Sequence, residues 1–383
     1  MSGNKLSVLG FGCMRFPRAA DETERLVIDA IEAGINYFDT AYIYPGSEET
    51  LGGILAKHKA RDRVFIATKL PLVLCRGPAD FDKFFRRELE RLQTEYVDYY
   101  LMHMLTDLAR WNELCRWGIR EWIAEKKKAG KIRQAGFSFH GSQGEFLAIL
   151  DAYDWDFCQI QYNYSDENYQ AGVTGLKAAA KKGIPVIVME PLLGGKLVTG
   201  LPAEGSALFT AASPSPEAPR SPAAWAFRWL WNQDEVTVVL SGMSAQSQLR
   251  ENLRTAGENA PLTAAELAVY RAVRAVFGKS YRVHCTGCNY CMPCPRHVNI
   301  PGCFAAYNAS FSIGFVEGMK QYVTGTAATS ANSSRATHCT ACGACETHCP
   351  QHLPIRRHLK EVRGRMEPFW FGALMGMVRL VMR

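Results

Sequence analysis

NYFDTAYIY occupies residues 36–44. Its first five residues form a short apolar run that ends beside a carboxylate, Asp39. The same design recurs downstream: VFIATK (64–69) closes on Lys69 and YVDYYLMH (96–103) closes on His103. Further short runs are IRQAGFSFH (132–140), FCQIQYN (157–163), PVIVMEP (185–191) and VTVVLSG (236–242), and LSVLGFG (6–12) precedes them all. Between the runs lie amphipathic stretches such as ETERLVIDAIEAG, DFDKFFRRELERL, GIREWIAEKKKAG and AGVTGLKAAAKKG. Several end in glycine just before the next run, a helix-stop signal. Eight strand-then-helix units over about 250 residues have the length and rhythm of a TIM barrel. A doubly wound sheet is the rival, but no GxGxxG follows the first strand. The expected class is α/β: a (β/α)8 barrel, followed by something smaller.

Residues 200–222 (GLPAEGSALFTAASPSPEAPRSP) interrupt the rhythm after the seventh strand. They read as a long βα loop over the mouth where barrels build sites, or as an insertion without function. Residues 262–280 (LTAAELAVYRAVRAVFGKS) read as a connecting helix. The expected organisation is a barrel over 1–258, a connector over 259–280, a small α+β domain over 281–356 and a basic, apolar tail over 357–383.

The small domain announces itself by its cysteines. HCTGCNYCMPCPRHVNIP (284–301) aligns with HCTACGACETHCPQHLPI (338–355). Cys285, Cys288 and Cys291 match Cys339, Cys342 and Cys345, and each triplet leads to a Cys-Pro pair, Cys294–Pro295 and Cys349–Pro350. C-x2-C-x2-C-x3-C-P is the bacterial-type signature of a [4Fe–4S] cluster, in which the fourth cysteine ligates the other cluster. That rule assigns Cys285, Cys288, Cys291 and Cys349 to one cluster. It assigns Cys294, Cys339, Cys342 and Cys345 to a second. Zinc is the alternative, and it leaves the third cysteine of each triplet unexplained. The first copy spaces its last cysteine by two residues instead of three. The repeat resembles a dicluster ferredoxin over residues 280–356. Cys13, Cys75, Cys115, Cys158 and Cys303 lie outside the pattern and read as small buried residues. The flanking histidines read as outer or surface groups.

Composition sets limits. The chain has 383 residues, 48% hydrophobic, and a net charge of +7. Residues 356–383 hold seven Lys/Arg against two acids, so the remainder is close to neutral and nucleic-acid binding by the main body is not supported. No apolar stretch reaches the roughly 20 residues of a membrane span. The opening MSGNKLSVLG lacks the apolar core of a secretory signal. A cytoplasmic protein of an anaerobe or facultative anaerobe is expected.

Asp39, Lys69 and His103 end three successive runs, and Tyr44 follows Asp39 by five residues. In a barrel these would converge on one mouth. A tyrosine is a weak acid, and a nearby ammonium favours its phenolate. An aspartate would fix that lysine, and a histidine could donate a hydrogen bond to a carbonyl oxygen.

With these residues, the sequence over 5–258 resembles the aldo-keto reductase family, and the whole chain its iron–sulfur branch. The resemblance rests on SVLGFGCMR, DTAYIY, IATK, YYLMH, GFSFH, QIQYN, EPLLGG and SGMSAQSQLREN. It implies Tyr44 as general acid, tuned by Lys69 and Asp39, with His103 orienting substrate. It implies Ser138 and Gln159 at the nicotinamide amide, and Glu251 and Asn252 at adenine. The chain departs from the family where Phe139 replaces an asparagine and Met189 an aromatic. Gly242 and Gln248 stand where cations usually meet a 2′-phosphate. NADP preference is therefore not supported. NAD, weak binding and a different electron source stay open, as does a flavin.

Two functions follow. The first is an oxidoreductase that reduces a carbonyl or oxidises an alcohol, with two clusters transferring electrons or serving as structure. The second is an electron-transfer subunit whose barrel no longer uses nicotinamide and which exchanges electrons with a ferredoxin or other redox protein. The tail RMEPFWFGALMGMVRLVMR (365–383) reads as a packing or homodimer segment, with an interfacial membrane helix as the alternative.

Overall fold

The computed structural model describes residues 5–215, 217–258, 260–326, 328, 333–372 and 375. Eight parallel strands close into a barrel in sequence order. They are β1 (Leu9–Gly12), β2 (Tyr37–Asp39), β3 (Phe65–Leu70), β4 (Val97–Leu105), β5 (Ile132–Phe139), β6 (Phe157–Gln161), β7 (Val186–Met189) and β8 (Val236–Ser241). Each coincides with one of the eight apolar runs of the sequence, β3 and β4 running one and two residues past theirs. Gly34, Gly130 and Gly183, which close helical stretches, take φ of 92°, 71° and 69°.

Side chains alternate along a strand, so every second residue faces the barrel axis. Tyr37, Ala67, Tyr99, Leu101, Phe157, Ile187, Val238 and Leu240 form a common buried layer. Tyr99 is its hub, with ring centroids 5.1 Å from both Tyr37 and Phe157. Large rings fill the barrel, so it is a packed core and not a pore. Two residues further along the same strands, on the same face, come Asp39, Lys69, His103, Gln159 and Met189. The alternation that packs the core therefore raises a polar layer above it.

β4 carries an irregularity. Its pairing with β5 shifts between Met102 and Leu105, and Met104 sits at φ 55°. The Met104 N–H, freed from the ladder, donates to Ser138 Oγ at 2.9 Å. Such a bulge re-aims the adjoining side chain, here His103.

The chain divides into two compact units. The first holds the barrel, with residues up to Pro191 and Ala226–Leu262. The second gathers Leu192–Trp225 with the chain from Thr263 onward. The segment after β7 is thus not a bare loop: it forms helices Lys196–Thr199 and Ala203–Ala211. Phe209 stacks on Trp225 at 5.1 Å and meets Tyr270 at 5.7 Å, while Tyr270 Oη donates to the Trp225 carbonyl at 2.9 Å. The connecting helix runs Ala264–Ser280 and starts with a capping box, Thr263 with Glu266.

Helices Ile300–Ser312, Phe315–Gly325 and Ile355–Met366 follow. Val283, Ile300, Phe304, Tyr322, Leu359 and Val362 are part of their core, and six of the eight motif cysteines, all but Cys288 and Cys342, pack against it. Where an α+β domain was expected, no strand is assigned in this unit among the described residues. Its cysteine segments are turns, dictated by ligand spacing instead of by ladder pairing. The tail begins inside this core, through Leu359, Val362, Met366 and Phe371. Residues 373–374 and 376–383, which carry most of the expected dimer or membrane segment, lie outside the described residues. No helix among the described residues is long and apolar enough to cross a membrane.

Candidate functional site

Lys69 is buried to 1% and reaches two oxygens, Asp39 Oδ1 at 2.7 Å and the Thr40 carbonyl at 2.6 Å. Its ammonium lies over the Tyr44 ring, 5.0 Å from the centroid. The His103 ring stands nearly perpendicular to Tyr44, at 6.0 Å and 85°. Asp39, Lys69, His103 and the loop residue Tyr44 therefore meet at one place. Tyr44 is held there by its loop: its N–H donates to Ala41 O and its carbonyl accepts from Ser47 N. Ser47 Oγ is in turn 2.7 Å from Thr40 Oγ1 and donates to Cys13 O.

Burial disfavours charge, and here it acts on both signs. It raises the Asp39 carboxyl, while Lys69 and then Gln159 hold it down. It keeps the His103 imidazole well below its ordinary pKa, and Lys69 and His140 push the same way. His103 is thus neutral at pH 7 and retains an N–H to donate.

Residues expected at a nicotinamide behave unequally. Gln159 is buried and lies against Asp39, and its Oε1 has no hydrogen-bond partner. An orphaned buried acceptor fits the amino group of a carboxamide. Ser138 is buried and serves Met104 as an acceptor, which leaves its own O–H to donate. Met189 is half-buried and packs against the inner layer. Asn252 is engaged internally, donating to Ser241 Oγ at 3.0 Å, and Glu251 is half-buried on the same helix. Gln248 turns back to accept from Ser244 N at 2.8 Å. Gly242 has only the Gly12 carbonyl within 4 Å of where a Cβ would stand. Neither position offers a cation.

A fifth polar residue, His140, stands at the same mouth. It directly follows β5, closes the apolar run 132–140 as His103 closes 96–103, is buried, and acts electrostatically on His103. The run-end rule that marks Asp39, Lys69 and His103 marks it too. The Thr40 carbonyl leaves no side-chain signal.

In the second unit the eight motif cysteines sort into two cavities. Cys285, Cys288, Cys291 and Cys349 line one, and Cys294, Cys339, Cys342 and Cys345 line the other. Each encloses about 310 Å³, counting space open to solvent. The fourth cysteine of each motif faces the other motif's triplet, and thiolates in fours around a void suit an iron–sulfur cubane. Burial pushes the Cys285 and Cys291 thiols up to about 12 and Cys345 up to about 11, a cost that metal bonding must offset. The repeat is also written in the backbone: Gly287, Asn289 and His297 have positive φ, and so do their counterparts Ala341, Gly343 and His352. Of the remaining cysteines, Cys13, Cys75, Cys158 and Cys303 are buried, and Cys115 is half-buried.

Comparison with known proteins agrees with both halves. The aldo/keto reductase family profile matches residues 8–275, and a 4Fe-4S dicluster domain profile matches residues 284–354. A D-galacturonate reductase of Fragaria ananassa is 37% identical over 105 residues, which are 26% of this chain and 32% of that protein. An uncharacterised oxidoreductase of Bacillus subtilis, YrpG, is 30% identical over 51% of this chain and 66% of its own length. The chain thus spans from about a third to about two thirds of these relatives. An aldo-keto reductase from Bacillus halodurans, in its holo form, superposes with a TM-score of 0.58 at 25% identity, covering 70% of this chain and 92% of that one. A Klebsiella pneumoniae aldo/keto reductase solved with NADP and acetate shares the fold at TM-score 0.59 and 21% identity, over 70% and 92% of the two chains. With a profile match over most of its length and a barrel to fit it, the chain belongs to the aldo/keto reductase family and continues into a 4Fe-4S dicluster domain.

Proposed function

We propose that the protein is an iron–sulfur oxidoreductase that reduces an aldehyde or ketone to an alcohol, or runs the reverse, at the barrel mouth. The observation that carries this is the buried Lys69 ammonium held between Asp39 and the Tyr44 ring, with His103 alongside. Tyr44 holds the proton at Oη and delivers it to the carbonyl oxygen of the substrate. The negative charge left on the phenol is stabilised by Lys69, which burial deprives of water and Asp39 keeps in place. Neutral His103 donates a hydrogen bond to the same carbonyl oxygen and sets its position. Packed rings below the site exclude water from beneath.

Gln159 and Ser138 would hold the carboxamide of a nicotinamide, which when bound supplies the hydride that adds to the carbonyl carbon. NADH is the preferred form, because Gly242 and Gln248 offer a 2′-phosphate no charge-assisted contact. Two [4Fe–4S] clusters, in the two cysteine cavities, would supply one-electron transfer to or from a redox protein. A reducing, cytoplasmic setting suits such thiolate ligation.

The same two positions favour a second reading, in which the barrel has given up nicotinamide and the chain serves as an electron-transfer subunit. Anaerobic titration with NADH and NADPH, alongside carbonyl-dependent turnover, separates the two. NADH binding with turnover supports the reductase. Binding of neither nucleotide, with no carbonyl reduced, rejects it in favour of the subunit.

A further inference from the structure

Aligned on Cys294 and Cys349, the two cysteine repeats place Arg296 opposite Gln351 and Pro301 opposite Arg356. The cavities divide these residues by charge. Gln351 and Pro301 line the cavity of Cys285, Cys288, Cys291 and Cys349, whose wall holds no charged residue among the described residues. Arg296 and Arg356 line the cavity of Cys294, Cys339, Cys342 and Cys345. A pseudo-symmetric pair of sites has thus received both cations on one side.

The approach of Arg356 is built in. Its guanidinium carbon lies 3.6 Å from where a Cβ on Gly343 would stand, beside Cys342. Gly343 sits at φ 82°, a conformation that costs glycine little. Glu346 anchors Arg356 from behind, at 2.7 Å from Nη2 and 2.9 Å from Nε, and also accepts from the Arg356 backbone N–H at 2.8 Å. Glu346 does not line the cavity, so the pair presents its positive end there. Arg356 acts on Cys342 and Cys345; the other charges felt here are Lys196, on Cys285, and Glu346 itself, on Cys345 and Cys349. Exposure differs in the same sense. Cys342 is exposed, whereas the four cysteines of the other cavity are all partly buried.

We infer that the Arg356–Glu346 pair, with Arg296, sets the cluster of the Cys294/Cys339/Cys342/Cys345 cavity at the higher potential of the two and makes it the solvent-facing electron port. The inference rests on the two-cluster reading above. The step concerned is the uptake of one electron from an external reductant, which adds one negative charge inside the cavity and makes or breaks no bond. A cation at the wall and access to water both favour the reduced state. Arg356 is therefore a tuning residue and not a ligand.

The test is an anaerobic redox titration of the full chain with dithionite, followed by EPR, after iron and acid-labile sulfide have been measured. Two waves are expected. R356Q should lower the upper wave, changing the reduced-to-oxidised ratio at fixed potential by roughly threefold or more. E346Q, which keeps an acceptor for the backbone but removes its charge, should raise that same wave. The lower wave should stay put in R356Q and should rise less than the upper one in E346Q, because Glu346 also acts on Cys349. Because the two variants move in opposite directions, general loosening of the site cannot imitate the result. Iron-replete protein in which the two variants leave the upper wave unmoved, or move it the same way, overturns the inference alone. Protein without iron overturns the two-cluster reading along with it.

Discussion

Lys69 Nζ donates to Asp39 Oδ1 at 2.7 Å, and the two side chains are only 1% and 6% exposed. An ion pair so deeply buried is costly to assemble and costlier to halve, because removing one partner leaves the other charge uncompensated. Lys69→Met should therefore destabilise the protein by about 3–5 kcal/mol. Adding Asp39→Asn should restore part of that loss, since no charge is then stranded. Urea denaturation of the two single variants and the double measures the coupling. A single-variant loss under about 1 kcal/mol would mean that the pair is open to water in solution.

Tyr44→Phe removes the hydroxyl and keeps the ring over Lys69. General-acid contributions run to about 10²–10⁴-fold, so kcat for carbonyl reduction should drop by at least about 100-fold. Visible absorbance from the cysteine domain and the urea midpoint should not change. Turnover persisting near the parent rate would move the proton donor elsewhere, with His140 the next group to examine.

Much of the barrel was legible because its physics is local. Strand ends closing on Asp39, Lys69 and His103 follow from two-residue alternation, and the cysteine pairing follows from motif spacing. His140, which closes the run 132–140, obeys the same rule. Other features could not be read. The segment after β7 gives Pro, Ala and Ser but no hint that Phe209 would stack on Trp225 within the second unit. Ser138 hides its second task, because the β4 bulge at Met104 that it satisfies is set by strand pairing and not by any residue type. The charge asymmetry of the two cavities needed the cysteine walls themselves, since Arg356 lies seven residues past the last cysteine.

Acid should weaken the fold through His103. Its imidazole is held well below its ordinary pKa by burial, then Lys69, then His140. Between that lowered value and about 6.5, the unfolded chain binds a proton that the folded chain refuses. Unfolded protein then carries more protons, so stability rises with pH and is lost as pH falls from about 6.5. Asp39, raised by burial, works in the opposite sense. His103→Gln should remove one proton from the pH dependence, flattening the slope by about 1.4 kcal/mol per pH unit below pH 6.5. Denaturation series on both proteins from pH 5 to 8 give the slopes. Parallel curves would show that His103 is protonated in the folded state.

Cys342 is the exposed member of its cavity, and Cys303 is buried outside both. Cys342→Ser should bleach one cluster and lower iron from about eight to about four per chain. Cys303→Ser should leave iron content as it was. Anaerobic iron and sulfide analysis decides, and a Cys342→Ser protein that retains the full complement would break the ligand map.

Gly194 and Gly195 are adjacent and both take positive φ, 64° and 89°, so alanine strains the backbone at either by about 1–2 kcal/mol. Their surroundings differ. A Cβ on Gly195 would meet nothing within 4 Å, whereas one on Gly194 would stand 2.1 Å from the Thr286 carbonyl oxygen. That carbonyl cannot easily retreat. Thr286 is buried and follows Cys285, whose own carbonyl accepts from Tyr281 Oη at 2.7 Å. Gly194→Ala should therefore displace the Cys285 turn and cost iron from that cavity, leaving the Cys342 side loaded. Gly195→Ala should lose only the backbone strain and keep its iron. Equal iron content in the two variants would show that the Thr286 turn yields, and that the segment after β7 does not brace the first cluster cavity.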